Sequence, residues 1–485
     1  MYIYKEVNHL KSPLNTLFNS SARIIYLSSF HKQEISWIKE DNEFKYHFSP
    51  PRHNYHYPKM PVILQSNGLP WDIGNAYLLG QLSNPTLSSM KTLVSRAIHL
   101  KYYLQYLEDT NQHFLDLPKI LHERAPQKFK LFMNHVLDSH DYSSEYINNI
   151  LSTIAHFYSN IRYESLIHEQ QFENEPFESV KKTIMVNNNV GLAKSLDIIT
   201  NNLRIKSSRK PIPELGKLRD EGSLRPLKYE EQKTLIKNLQ NGVTSIEVEL
   251  MIRIALETGA RQQSICTLSI DCIMKAFESL ESNQTVDVVV INAGQKFKTD
   301  SKGGRLNRLI FKRDLINDLV IYINCERAKE RRSKANSFYG DTVDNYVFLT
   351  RNGNPYLSAQ RELYDRRNPN TNWDQNSLVM IPKNGQSLRN EIARLVSKIQ
   401  KTEPEFCNFS FHDLRATSGM NLVRSMRNKG YPDSKIFDYV RQHLNHQNFK
   451  TTESYLNFDS ELQEFNDIQE SFGSVFYDEG FDNDE

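Results

Sequence analysis

Four separated segments carry side chains of the types that phosphodiester chemistry requires. Thr258-Gly259-Ala260-Arg261 supplies an arginine, and Lys298-Thr299-Asp300-Ser301-Lys302-Gly303-Gly304-Arg305 supplies lysines beside a glycine turn. Phe411-His412-Asp413-Leu414-Arg415 supplies a histidine and an arginine, and Leu444-Asn445-His446, Thr451-Thr452 and Tyr455 close the set. Attack on a phosphodiester needs a nucleophile in line with phosphorus, cations on the non-bridging oxygens and a proton for the leaving oxygen. Planar, permanently charged guanidinium groups hold two phosphate oxygens at once, so Arg261 and Arg415 suit the clamp. A lysine at a hairpin tip reaches a leaving oxygen, and histidines donate hydrogen bonds and move protons. Taken singly, each piece has a plain structural reading. An HxxR pair often only packs a helix, a TGxR stretch often closes one helix and opens another, and Tyr455 is one tyrosine among 24.

The elements that must position these groups are legible in outline. His412 and Arg415, spaced i, i+3, share one face if they lie on a helix. His446 precedes Tyr455 by nine residues, about two and a half turns, with a break expected around Asn448 and Thr451-Thr452. Lys228-Tyr229-Glu230-Glu231 opens a helix with acids in its first turn, and Ile246, Leu250 and Ile254 mark another that Gly259 ends. Val286 to Ile291 and Leu306 to Phe311 read as a hairpin around Gly303-Gly304. Residues 228–460 therefore form the segment with chemistry. Upstream, residues 85–200 read as helical: Leu93, Ala97, Leu100, Leu104 and Leu107 line one face, as do Ile147, Ile150, Ile154, Phe157 and Ile161. Residues 1–80 form an extension with strands at Arg23–Leu27 and Glu43–Phe48, broken by Pro50, Pro51, Pro58 and Pro61, with no assignable chemistry. Residues 204–227 read as a basic linker in which Arg204, Lys206, Arg209, Lys210, Lys217 and Arg219 alternate with Pro211, Pro213 and Gly216. It is either a solvated connector or a strap along phosphates.

Composition narrows the class. The chain has 485 residues, 39% of them hydrophobic, enough for two or three domains. No apolar run reaches bilayer length and the N-terminus has no secretory pattern, so a cytoplasmic protein is expected. Cys266, Cys272, Cys325 and Cys407 form no zinc-spaced cluster and are expected to be reduced thiols; no metal or other cofactor is implied. The net charge of +2 conceals an asymmetry. Residues 451–485 hold 11 acids and no Lys or Arg, leaving a basic body that suits a polyanion.

Read together and in order, the segments resemble the tyrosine recombinase, or phage integrase, family, whose pattern is Arg, Lys, His-x-x-Arg, His or Trp, then Tyr. Here that pattern falls on Arg261, Lys302 (or Lys298), His412 with Arg415, His446 and Tyr455. The resemblance implies a mainly α fold with a small β-hairpin in the catalytic domain. A helical, SAM-like core-binding domain over residues 81–203 and a mixed α/β catalytic domain over 228–460 would form a C-shaped clamp around DNA. It implies site-specific cleavage and rejoining of double-stranded DNA through a 3′-phosphotyrosine on Tyr455, without ATP, in the service of a mobile element. Arg261 and Arg415 would clamp the phosphate, and Lys302 would protonate the leaving oxygen. His412 would handle the tyrosine proton, and His446 would bond the phosphate. A homotetramer exchanging C-terminal segments on DNA, accessory DNA-bending or directionality proteins and association with a bacterial nucleoid are implied too. Three positions depart from the pattern. Ser264 stands where an acid usually supports the first arginine, Asn445 replaces a glycine, and Ala416 replaces a His or Arg. The acidic tail, residues 461–485, is either solvated chain or, through Phe465, Ile468, Phe472, Val475 and Phe476, a docking segment.

Overall fold

The computed structural model of the chain describes residues 13–27, 30–31, 34–40, 43–49, 56–57, 60–82, 90–140, 142–187, 193–205, 216–334, 336–365 and 382–477. It is mainly helical, with two-stranded antiparallel sheets. The chain divides into two compact units at Lys210/Pro211.

The first unit is built on helices Asp72–Gln81, Met90–Asp109, Ala125–Ser139 and Ser144–Tyr163. Both apolar stripes face inward: Leu93 through Leu107 are at most 4% exposed, and Ile147 through Ile161 are fully buried. Ser143 caps the last of these helices by accepting from the Tyr146 amide at 3.1 Å. Strand Arg23–Leu27 pairs antiparallel with Met60–Leu64. Leu14, Ala22, Met60, Ile63 and Trp71 share one core with the helices, so these parts of residues 1–80 are packed into the unit and do not stand apart as an extension.

One sequence expectation is corrected here. Residues 85–200 are not helical throughout, because Ser179–Asn187 and Ala193–Asn201 form a hairpin with Lys181 opposite Ile199 and Thr183 opposite Asp197. β-branched residues such as Val180, Thr183, Ile184, Val186, Ile198, Ile199 and Thr200 favour the pleated conformation, and that preference outweighs any helical period.

The second unit has a principal core in which helices Tyr229–Gln240, Ile246–Thr258, Ile270–Glu281, Arg313–Asn324 and Gln386–Ile399 enclose the hairpin Val288–Ala293/Asn307–Lys312. A smaller core joins helices Asp413–Asn428, Asp433–Leu444 and Phe449–Tyr477 through Ala416, Met420, Val423, Ile436, Val440, Leu444 and Tyr455. Leu218 and Leu224, from a miniature hairpin of strands Leu218–Arg219 and Ser223–Leu224, belong to this smaller core. The linker reading of residues 204–227 therefore fails over 216–227. The leucines bury there, and the Arg225 and Leu227 amides donate to Asp413 Oδ1 (2.8 Å) and Thr417 Oγ1 (2.9 Å). Lys206, Arg209 and Lys210 lie outside the described residues.

The helix carrying Tyr455 continues without interruption to Tyr477, into the acidic tail past residue 460. The side chains of Phe465, Ile468, Phe472, Val475 and Phe476 lie outside the described residues. The four cysteines are free thiols. Among the described residues no helix is long and apolar enough to cross a membrane.

Trp71 tests the packing of the N-terminal segment. Its ring is 5.6 Å from Phe157 and 6.5 Å from Phe114, and it is 6% exposed. Trp71→Ala should cost about 3–5 kcal/mol, read from urea unfolding of the full chain. A change near zero would place this segment outside the core.

Candidate active site

Arg415 lies in the first turn of helix Asp413–Asn428 and is 1% exposed. Its guanidinium carries N–H donors on three nitrogens, and two of those nitrogens donate to main chain. Nη1 donates to the Gly259 carbonyl at 2.8 Å and Nη2 donates to the Leu444 carbonyl. These carbonyls stand at the C-terminal ends of helices Ile246–Thr258 and Asp433–Leu444, where carbonyls lack helical partners and the helix dipole is negative. Gly259 is left-handed (φ 63°), and a Cβ there would meet Leu444 Cδ2 at 2.6 Å. Only glycine lets the helix end turn this close to its neighbour. The third nitrogen, Nε, donates to Asp220 Oδ2 at 2.9 Å.

Tyr455 is fully buried in the second turn of helix Phe449–Tyr477, within its own chain. Its hydroxyl donates to the same oxygen, Asp220 Oδ2, at 3.1 Å. Gly419 makes room for the ring, since a Cβ there would fall 2.5 Å from Tyr455 Cε1. His446 lies 5.3 Å from Tyr455, ring to ring. Its Nε2 donates to Asp220 Oδ2 at 3.1 Å, which leaves Nδ1 to accept from the Thr452 hydroxyl at 3.1 Å. The expected break between His446 and Tyr455 falls at residues 445–448, and Thr451-Thr452 are already helical. Asn445 takes the left-handed cap (φ 51°), and its Nδ2 donates to the Leu306 carbonyl at 2.8 Å. Asparagine tolerates that conformation better than most residues, so it serves where a glycine was expected.

Arg261 precedes the short helix Gln262–Cys266 and reaches Glu221 with two nitrogens, Nε to Oε2 (3.2 Å) and Nη2 to Oε1 (3.1 Å). Lys302, at the turn of the hairpin, pairs with Glu221 Oε2 at 2.9 Å. Lys298 points elsewhere, held by Asp344 at 2.7 Å and Asp271 at 3.0 Å. The structure thus brings Arg261, Lys302, Arg415, His446 and Tyr455 onto one adjacent pair of carboxylates, Asp220 and Glu221, and leaves Lys298 out. His412, immediately before the Asp413–Asn428 helix, is close enough to feel Arg415, Asp220, Glu221 and Arg261.

The charges interlock. Burial opposes ionisation of Asp220, but hydrogen bonds from His446 and Arg415 and the Arg415 charge more than offset it and hold the carboxyl well below its usual range. Glu221 is likewise opposed by burial and held low by Lys302 and Arg261. Burial beside Asp220 pushes the Tyr455 phenol well up, so it stays protonated. Burial lowers His412, His443 and His446, and takes His443 down to about 4.

Asp220 and Glu221 are the residues that sequence reasoning missed. They stand in Arg219-Asp220-Glu221-Gly222, which carries a turn signal, and they are two of the three acids, with Glu214, in a mainly basic stretch. Ser264 is itself buried and offers no carboxylate, and the acid that meets Arg261 is Glu221, from another part of the chain. Among the described residues no group of three or more His, Cys, Asp or Glu is placed to hold a metal ion.

Two measurements probe this arrangement. The buried histidines bind protons less readily than in the unfolded chain, where His titrates near 6.5. Stability should therefore fall as pH drops from about 7, with the His443 part, at most about 3 kcal/mol, fully lost by about pH 4. Asp220 and Glu221 act in the same direction only below about pH 4.5, where unfolded carboxylates begin to protonate. Urea midpoints between pH 7 and 4.5 should thus drop less in His443→Gln than in the native chain. Separately, Gly419→Ala should cost about 1–3 kcal/mol by overpacking and should raise the nitration rate of Tyr455.

No protein-family model and no curated protein matches the chain. Among solved structures it is similar to an integrase of transposon Tn1549 bound to circular intermediate DNA, at 15% identity and a TM-score of 0.45, over 81% of this chain and 98% of that one. A complex of the same integrase with transposon right-end DNA gives 15% identity and 0.44, over 82% and 99%. XerA recombinase gives 15% identity and 0.29, over 82% and 96%. With identities this low and TM-scores below 0.5, the functional reading rests on the site's own residues.

Proposed function

We propose that the chain is a tyrosine recombinase that cuts and rejoins double-stranded DNA at specific sites. The observation that carries this reading is the convergence of Arg261, Lys302, Arg415, His446 and Tyr455 on two adjacent carboxylates, Asp220 and Glu221. Cations, an imidazole and a phenol around an anion are what an in-line attack on a phosphodiester needs.

In the proposed reaction a DNA phosphate takes the place of the carboxylates. Tyr455 Oη attacks phosphorus and its proton passes to His412. The bond to the 5′ oxygen breaks as Lys302 protonates that oxygen, leaving a 3′-phosphotyrosine and a 5′ hydroxyl. Arg261 and Arg415 hold the non-bridging oxygens, and His446 donates to one of them. The phosphotyrosine conserves the bond, so attack by a 5′ hydroxyl rejoins DNA and returns the phenol without ATP. Arg415 is favoured as a clamp because main-chain carbonyls hold its Nη1 and Nη2 and so fix the direction of Nε. Service to a mobile element, assembly as a tetramer on two duplexes with exchange of C-terminal segments, and accessory DNA-bending partners belong to the same reading.

Nicked duplexes built from the DNA flanking the coding region test it, because a nick lets the freed strand diffuse away and traps the adduct. The native chain should form a covalent DNA adduct. Tyr455→Phe should abolish it with DNA affinity within about threefold, and Arg415→Ala should reduce adduct formation by at least about a hundredfold. Adducts that persist in Tyr455→Phe exclude Tyr455 as the nucleophile.

A further inference from the structure

We infer that the Asp220–Glu221 tip is a built-in phosphate mimic that closes the site, competing with a tetrahedral oxyanion for the same five groups. This inference rests on the reading above and concerns the same residues.

The geometry distinguishes a plug from a supporting acid. An acid that merely orients an arginine engages the side facing away from the substrate. For Arg415, Nη1 and Nη2 are already engaged by the Gly259 and Leu444 carbonyls. Asp220 takes the third nitrogen, Nε, and the same Oδ2 atom also receives the Tyr455 hydroxyl and His446 Nε2. A single oxygen that collects the nucleophile, an arginine and a histidine sits where a non-bridging phosphate oxygen belongs. Glu221 does the same for Arg261 and Lys302. Two adjacent carboxylates thus present three engaged oxygens and two negative charges to three cations.

The mount is also built for release. The tip is three residues, Asp220, Glu221 and Gly222, between two-residue strands, tied down on either side by buried Leu218 and Leu224. Glu221 is left-handed (φ 58°), a conformation costly for a residue with a Cβ, and its side chain is 33% exposed. Asp220, by contrast, is 2% exposed. Glu221 is therefore the outer latch and Asp220 the inner plug. An incoming phosphate first displaces Glu221 from Arg261 and Lys302, then Asp220 from Arg415, His446 and Tyr455. In the closed state the Tyr455 proton is held by a carboxylate, so the nucleophile is silent until a phosphate takes that place.

Calorimetric titration of the full-length chain with inorganic phosphate tests this without a known DNA site. Asp220→Asn/Glu221→Gln should bind phosphate at least tenfold more tightly than the native chain, and adding Arg415→Lys should remove the gain. Glu221→Gly suits the left-handed turn and leaves Asp220 in place, so it guards against a misfolded double variant; it should gain about threefold. Equal phosphate affinity in the native chain and in either folded variant overturns the plug. The nicked-duplex assay separates the two claims. A phosphate gain without adducts from any flanking DNA upholds the plug and removes the recombinase reading. Native adducts together with equal phosphate affinities remove the plug and keep the recombinase reading.

Discussion

The site depends on where one buried guanidinium can go. Arg415 is among the largest fully buried side chains, and a buried cation is tolerated only if it is paired and hydrogen-bonded. Two acceptors are carbonyls that helices must leave unpaired at their ends, so the cation joins helices Ile246–Thr258 and Asp433–Leu444 to the helix that bears it. The third acceptor is a carboxylate, and through it the histidine and the phenol are drawn in. The small core of Leu218, Leu224, Met420, Val440 and Leu444 supplies the apolar packing, and the polar network supplies the register. Glycines 259 and 419 are the points where this register is tightest, since a methyl group at either would collide with Leu444 or Tyr455.

Much of this was legible in the sequence because it is local. Leu93 to Leu107 and Ile147 to Ile161 announce buried faces by spacing alone, and both stripes are buried. Gly259 ends its helix as its place in the pattern implies. The strand pair around Gly303-Gly304 follows from alternation flanking a glycine turn, with its ends displaced by one or two residues. The hairpin at 179–201 was lost because short apolar runs fit a helix or a strand equally well until a partner is known.

The two carboxylates were illegible for a different reason. Asp220 meets Tyr455 across 235 residues and Arg415 across 195. No local period encodes such a contact, and the surrounding prolines and basic residues advertise a connector. The choice between Lys298 and Lys302 was equally non-local. Both flank one turn, and what separates them is the position of Asp271 and Asp344 on one side and of Glu221 on the other. Asn445 shows the converse: an apparent departure from a pattern is harmless when the requirement is a backbone conformation that asparagine also adopts.

The helix from Phe449 to Tyr477 has a mechanical consequence. Its turns are joined by continuous backbone hydrogen bonds, so it transmits tilt along its length as a stiff lever. About 33 Å of helical rise separates the phenol-bearing residue from the far end. A tilt of about 5° about that far end swings the phenol by about 3 Å, the length of one hydrogen bond. Whatever grips the distal turns thereby sets the reach of the Tyr455 hydroxyl, and grip and site geometry become a single degree of freedom.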